Sequence, residues 1–493
     1  MMKKYISIFV LAVAALSMTA CKNFLEEQPI LSQSTSLTLS DYNGLNKAVA
    51  GAYSPLADGQ WYGAMYVLES EMRAGNAMRP INSDFTSGRM MVPYDLSYNE
   101  SSTSALWGYA YYVISAVNNV LNVIDDPDVD LAVDGITQED VNNLKAEALA
   151  LRALAHFDCL RLYSRTDGSN DKLGIPLILV PQSPSDKPAR NTVTEVLNQV
   201  AKDLTDAESL MSPSYARAGG SSAKSFINQD VIRALLARVY LYMKDYNNAY
   251  AYATKVIESG NYKLWTAAEY PTVWSKDAAD KGGEVIFEVY GAQTNSYDEY
   301  WEGPSHMTNP IGYADCAASF DLIDLFEAGD VRGTRGVRGK DEGKVMFCTD
   351  PDEASLGQMW TMKYQGKGKG DATTTPDVSN VIVIRLSEMY LIRAEASVKG
   401  AGNTAVSDIN AIRSNRGASL LTSAGEAAVA LERRLELNFE GHTWFDLART
   451  TATLHYQDAV KTRDLTSSSK EWALPIPKRE TDVNENLEQY PGY

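Results

Sequence analysis

The chain has 493 residues, 45% of them hydrophobic, which is enough to bury a large core across roughly two to four domains. With 45 Lys and Arg against 63 Asp and Glu, its formal charge is −18. That balance excludes general nucleic-acid binding, which is driven by cations on phosphates.

The first twenty residues read as a targeting segment and not as fold. Lys3 and Lys4 form a basic start, Tyr5 to Thr19 form an apolar run, and the small residue Ala20 precedes Cys21. The run is too short to span a bilayer comfortably. "LSMTAC" (Leu16 to Cys21) resembles a bacterial lipobox, with Met18 where Leu is usual, and polar "KNFLEEQP" follows at once. Cys21 is therefore expected to be a lipid-modified N-terminus; the alternative is ordinary signal cleavage beside an incidental cysteine. Cys159, Cys316 and Cys348 are odd in number and far apart, so they imply no disulfide framework, and a Cys316–Cys348 bridge is not assigned. Cys159 lies inside an apolar helical pattern and reads as core.

No second long apolar run follows, so the mature chain is expected to be soluble and tethered. Helical periodicity dominates it. Ser40 is placed to cap a helix through "DYNGLNKAVAGAY". "LKAEALALRALAHFDCLRLY" (Leu144 to Tyr163) repeats Leu144, Ala148, Leu151, Ala155, Cys159 and Leu162 at helical spacing, which predicts one buried face. Thr192 with Glu195 makes a capping box for the helix that follows. Two segments of about 32 to 34 residues, the tetratricopeptide period, read as helical hairpins. One turns at Lys244–Asp245 and the other at Lys399–Asn403. They are expected to stack into one right-handed superhelix.

The sequence thus divides into a helical scaffold over about 40–57, 105–260 and 378–450, and loop-rich stretches over about 58–104 and 262–377. The loop-rich stretches carry Gly, Pro, Asn, Ser and aromatics; loops of that length in a compact protein are usually functional or disordered, and the aromatic content argues against disorder. "GEVIFEVYG" (Gly283 to Gly291) is the one clear strand expected there.

"ELNFEGHTWFDLART" (Glu436 to Thr450) concentrates the side chains of acid–base and metal chemistry. It reads as structural. Leu431, Leu435 and Phe439 share a helical face, Gly441 ends that helix, and Trp444, Leu447 and Ala448 begin a second. Arg433, Arg434, Glu440, Asp446 and Arg449 are expected to pair across the bend. His442 has no second His at ligand spacing, so zinc is not expected. Elsewhere the four His form no HExxH, and there is no GxSxG elbow and no P-loop. "TDGSND" (Thr166 to Asp171) lacks the ligand pattern of a calcium loop and reads as a polar connector. No pair among the 63 acids is singled out for glycoside hydrolysis.

Several segments, taken in order, resemble the SusD/RagB family of outer-membrane lipoproteins. They are "CKNFLEEQP", "ARVYLYMKDYNNAYAYATKVIESGNYKL", "ASFDLIDLFEAGDVR", "VIRLSEMYLIRAEA", "LERRLELNFEGHTWFDLART" and "ALPIPKRETDVNENLEQYPGY". Glu488 and Tyr490 loosen the usual ending. The resemblance spans nearly the whole mature chain. It implies a mainly α fold of tetratricopeptide-like hairpins, a superhelical scaffold with long irregular ligand-binding loops and little strand. It also implies a lipid-anchored, cell-surface protein of the outer membrane that caps a TonB-dependent transporter of the SusC type. Such a protein captures oligosaccharide or polysaccharide, without a cofactor and without breaking a bond. Peptide capture, as in some members, is the alternative, and a surface hydrolase is a third.

Sugar rings lie flat on exposed aromatic rings while their hydroxyls bond amide, carboxylate or guanidinium groups beside them. The first loop-rich stretch offers Trp61, Tyr62 and Tyr66, then Arg73 and Asn76, then Tyr94 and Tyr98. The second offers "NSYDEYWEG", with Asn295, Tyr297, Tyr300 and Trp301, and Tyr313 beyond it. In a helical conformation Tyr297, Tyr300 and Trp301 would share a face. The competing reading is that these rings hold the loops down. For Trp107, Tyr111 and Trp444, which sit in helical patterns, packing is the expectation outright.

Overall fold

The computed structural model describes residues 39–493 except 82–84, 103–105, 218–222, 276–281, 292–302, 342, 353–356, 367–378, 451–452 and 458–460. The signal segment and Cys21 therefore lie outside the described residues. The chain begins with α1 (Tyr42–Ala52), capped by the Asp41 carboxylate and not by Ser40. Next come α2 (Met65–Ala74), β1 (Ala77–Met78) and α3 (Met91–Asp95), all inside a stretch expected to be loop. Every residue of α2 is buried, polar and apolar alike, so it carries no amphipathic stripe to read.

A helical array follows: α4 (Leu106–Ile124), α5 (Gln138–Tyr163), α6 (Val193–Leu210), α7 (Gln229–Tyr242) and α8 (Tyr246–Ile257). The capping box of Thr192 and Glu195 opens α6, and a second, from Thr137 and Asp140, opens α5. The α7–α8 hairpin turns where expected, with Lys244 in the left-handed region at φ 59°.

The chain then runs through β2 (Val285–Val289), α9 (Pro304–Met307), β3 (Ala317–Ala318), α10 (Phe320–Ile323) and the short strands β4 (Arg335–Val337), β5 (Phe347–Thr349) and β6 (Trp360–Thr361). β7 (Val381–Arg385) pairs antiparallel with β2 and leads straight into α11 (Leu386–Val398), which forms the second hairpin with α12 (Ala405–Ser414). α13 (Glu426–Leu437), α14 (Thr443–Arg449), the hairpin β8 (Leu454–Gln457) and β9 (Thr462–Leu465), and α15 (Lys478–Val483) complete the fold. The fold is mainly helical, with strands confined to small two- and three-stranded sheets among the described residues. α11 packs on α8 although more than a hundred residues separate them, so the two hairpins continue one array.

The array centres on α5. Its sequence pattern predicts one apolar face, yet α5 is buried on all sides between α4 and α6. Its polar residues are buried with it and find partners. Arg152 holds Asp203 through Nε and Nη2 at 2.7 and 2.8 Å and donates to Asn118 Oδ1 at 3.0 Å. Glu147 takes the Arg217 guanidinium and the Tyr53 hydroxyl. Cys159 is buried, and Cys159, Cys316 and Cys348 are all free thiols.

His156 on α5 places Nδ1 3.0 Å from the Arg152 carbonyl, and Nε2 accepts the Ile178 N–H at 3.3 Å. That pattern assigns the neutral tautomer with the proton on Nδ1. Burial, with Arg152 nearby, pushes its pKa down to about 3. Below about pH 6.5 the unfolded chain gains a proton that the folded chain refuses, so stability falls as pH drops toward that value. His156→Gln keeps one donor and one acceptor and removes the titration. Urea midpoints measured from pH 7 to pH 4 should fall less steeply for this variant than for the native protein.

Candidate functional site

The acid-rich stretch that suggested chemistry is the buried junction of the fold. α13 ends at Leu437, two residues before Phe439, which takes φ 59°, and Gly441 turns the chain at φ 77°. Phe439 is thus not on the helix, and Leu431 is 43% exposed, so the single apolar face expected for Leu431, Leu435 and Phe439 does not form. Inside the junction Arg385 Nη1 reaches Glu436 at 2.5 Å and Glu284 at 2.8 Å, and its Nε reaches Glu440 at 2.7 Å. Arg416 Nη2 meets Glu284 at 2.6 Å and Glu436 at 2.7 Å. Arg332 Nη1 meets Glu432 at 2.6 Å and Glu436 at 3.0 Å. Lys363 Nζ donates to Glu440 at 2.6 Å and to the carbonyls of Glu436 and Asn438 that end the helix.

One of the expected pairs forms across the bend, Arg433 with Asp446, while Arg449 meets Asp446 within α14. The other two partners lie elsewhere: Glu440 binds Lys363 and Arg385, and Arg434 binds Asn76 and Asp321. Burial opposes the charge on Glu436, but Arg416, Arg385 and Arg332 outweigh it and hold its pKa well below the usual range. A carboxylate so held cannot shuttle protons near neutrality, where a general acid or base must titrate. His442 is buried 4.0 Å from Glu388, and its pKa is pushed down to about 4, mainly by burial. Among the described residues no three His, Cys, Asp or Glu are grouped to hold a metal ion.

The first aromatic cluster is also core, which corrects the expectation of a sugar platform. Trp61, Tyr62 and Tyr66 turn inward onto one carboxylate, Asp158 of α5. The Trp61 indole donates to Oδ2 at 2.9 Å, Tyr62 to Oδ2 at 2.7 Å and Tyr66 to Oδ1 at 2.9 Å. Arg161 completes the shell at 2.5 Å, its guanidinium lying 4.7 Å from the ring centres of Phe157 and Phe445. Arg73 is buried with its guanidinium 4.8 Å over Trp444, and Asn76 bonds Glu71, Thr443 and Arg434. Tyr98 donates to Glu69 at 2.8 Å, and Tyr94 carries the Arg463 guanidinium 4.9 Å above its ring. None of these seven exposes more than 5% of its surface, so no ring face is open to a sugar. Trp107 and Trp444 are core as expected, and Tyr111 packs half-buried against Trp107.

The two loop-rich stretches meet around Asp315. Its carboxylate accepts the Thr86 N–H at 2.7 Å, the Ser87 N–H at 3.1 Å and the Ser87 hydroxyl. β1 pairs with β3 beside this tether, and the Trp360 indole donates to the Ala314 carbonyl at 3.1 Å. The turn Pro310 to Ala314 stays half-exposed above it. Gly312 permits that turn, since a Cβ there would meet the His306 carbonyl oxygen at 2.2 Å. Tyr313 stands in the turn with the His306 ring edge-on at 4.8 Å and the Arg89 guanidinium 5.7 Å over its ring. Of the residues singled out as sugar contacts, Tyr313 is the one that is both described and half-exposed. Asn295, Tyr297, Tyr300 and Trp301 lie outside the described residues.

Comparison with known proteins gives a consistent picture. Residues 350–493 match the SusD family, and residues 23–241 match the family described as starch-binding associating with outer membrane. The chain belongs to the SusD/RagB family. A SusD-like protein of Formosa agariphila, P38, is 24% identical over 547 residues that cover all of both chains. A SusD superfamily protein of Bacteroides thetaiotaomicron is 28% identical with a TM-score of 0.77, over 92% of this chain and 100% of that one. A laminarin-binding SusD-like protein shares the fold at 22% identity and a TM-score of 0.71, over 92% of this chain and 100% of that one. Within this SusD/RagB chain no described helix is long and apolar enough to cross a membrane.

Glu436→Ala should cost about 3–5 kcal/mol, because it takes one carboxylate away from three buried guanidinium groups at once and leaves the junction with excess positive charge. Trp61→Ala should cost a similar amount, about 3–5 kcal/mol, by opening a cavity and freeing one bond of Asp158. Denaturant titration measures both. A Trp61→Ala variant of unchanged stability would return that ring to the candidate sugar contacts.

Proposed function

We propose that this chain is a glycan-capture lipoprotein of the cell surface. It is anchored in the outer membrane through Cys21, after removal of residues 1–20, and delivers oligosaccharide or polysaccharide to a SusC-like TonB-dependent transporter. The observation that carries this reading is the match of residues 23–241 to a family described as starch-binding associating with outer membrane. The laminarin-binding relative supports the ligand class. The site is placed on Tyr313 and on the segment that holds Asn295, Tyr297, Tyr300 and Trp301, since the rings of the first stretch are committed to the core. Ring faces stack on sugar C–H faces, and Arg89 and the amide groups select among hydroxyl patterns. The mechanism is equilibrium binding, with no bond broken. The fully bonded carboxylates of the junction support that, because none is available for proton transfer.

A glycan array followed by calorimetric titration of the mature chain tests the ligand class, with peptides as the contrasting arm. Trp301→Ala and Tyr313→Ala should each weaken glycan binding, by about thirtyfold where the ring is central to the site, equivalent to about 2 kcal/mol. Trp61→Phe should leave affinity unchanged. Prolonged incubation should leave the chain-length distribution of the glycan as it was, and shorter products would overturn the non-catalytic reading. For the anchor, Cys21→Ala should move the protein from the membrane fraction to the soluble one and abolish fatty-acid labelling.

A further inference from the structure

A concavity on the helical scaffold shares no residue with the candidate sugar site. It has a volume of about 630 Å³ and lies between the α7–α8 turn, the end of α11, and the α13–α14 corner. Along α13, Ala427, Ala430, Leu431 and Arg434 recur at helical spacing on the side that faces it. Leu431 is 43% exposed at a position where the sequence pattern predicts core. The two alanines keep the wall low, and half-buried Tyr246 and Leu447 form apolar surface opposite. The wall is about two helical turns long, enough to seat two turns of an incoming helix.

The charge of the concavity runs against that of the chain. Five cationic side chains line it against three carboxylates, in a protein of formal charge −18. Arg433 and Arg449 are already matched by Asp446 and Glu395, and Arg434 by Asp321 outside the concavity. Lys244 and Lys399 are differently placed. Lys244 Nζ donates to the Asp167 backbone carbonyl at 2.9 Å, a neutral acceptor that leaves its charge uncompensated. Lys399 pairs at 2.7 Å with Glu426, whose side chain is 67% exposed and competes with water. Two ammonium groups thus flank an apolar trough.

We propose that this groove docks a short acidic polypeptide segment of another protein, seated by one bulky apolar side chain against Leu431 and Leu447. Its carboxylates meet Lys244 and Lys399 at the rim. The inference is independent of the glycan reading. Apolar burial supplies the affinity and the lysines supply orientation, so binding should weaken as salt rises.

The test is selection from a random dodecapeptide display library on the full mature chain, with synthetic copies of the winners measured by fluorescence anisotropy. The expected winners carry Leu, Phe or Met beside Asp or Glu. Leu431→Asp should weaken them at least about tenfold, and Lys244→Glu should weaken them less while flattening the salt dependence. Val483→Asp, at an apolar residue exposed on α15 away from the groove, should change nothing. Leu431→Asp should also leave the thermal melt and glycan affinity unchanged, which separates failure here from failure of the glycan reading. No enriched family, a basic consensus, or winners indifferent to Leu431→Asp would overturn the proposal. So would sedimentation showing that Leu431→Asp abolishes a dimer, since the groove would then receive a second copy of this chain.

Discussion

Glu436 is one carboxylate shared by three arginines in the dry interior, and the architecture is pinned by that arrangement. Its partners come from segments far apart in sequence: Arg332 from the loop-rich middle, Arg385 from the end of β7, and Arg416 from beyond α12. Taking so many charges out of water repays its cost only when every donor and acceptor is met. The cluster therefore tolerates few relative positions of the elements that carry it. It sets where the β2–β7 pair lies, through Glu284 and Arg385, and how α13 ends, through Lys363 on its last carbonyls.

A second hub does the same for the start of the chain. Asp158 on α5 collects Trp61, Tyr62, Tyr66 and Arg161 around one carboxylate. Phe445 of α14 closes over Arg161 and Tyr66, so the N-terminal helices and the α13–α14 corner are bound to the same point. Gly75, at φ 80°, lets β8 approach the end of α2, because a Cβ there would meet the Tyr456 ring at 2.3 Å. The stacked pair Trp444 and Trp472 holds the C-terminal region to that corner. The scaffold is a rigid frame on which the loop layer around Asp315 is mounted.

That division suits the proposed capture role. A binding surface assembled from loops can change its exposed rings and amides without disturbing the ionic and aromatic hubs beneath, since the hub residues that the loops contribute, such as Trp61, Arg332 and Lys363, are buried. It also explains why charged residues are poor guides to chemistry here. Arginines and glutamates concentrate where the fold is locked, and the candidate ligand surface is carried by rings, amides and backbone turns.

The sequence by itself determined the helical hairpins, their turns at Lys244–Asp245 and Lys399–Asn403, and the capping box at Thr192, because these depend on residues a few positions apart. The expectation that Glu436 to Thr450 is structural came from the same short range, since its charges are placed to pair at a helix junction. Only the tertiary structure decided which aromatics face inward. Trp61, Tyr62 and Tyr66 sit in a polar, Gly-containing context that resembles a sugar platform, and what commits them to the core is Asp158, about ninety residues away. The helix at Met65–Ala74 was illegible for the same reason: it is buried all round, so no periodic stripe marks it. β7 was hidden because it runs straight into α11, with no turn residue to mark where the strand ends. Local pattern encodes what neighbouring residues do to one another. A side chain whose partner is remote takes its role from the fold, and that role is set by the cost of leaving a buried polar group unmatched.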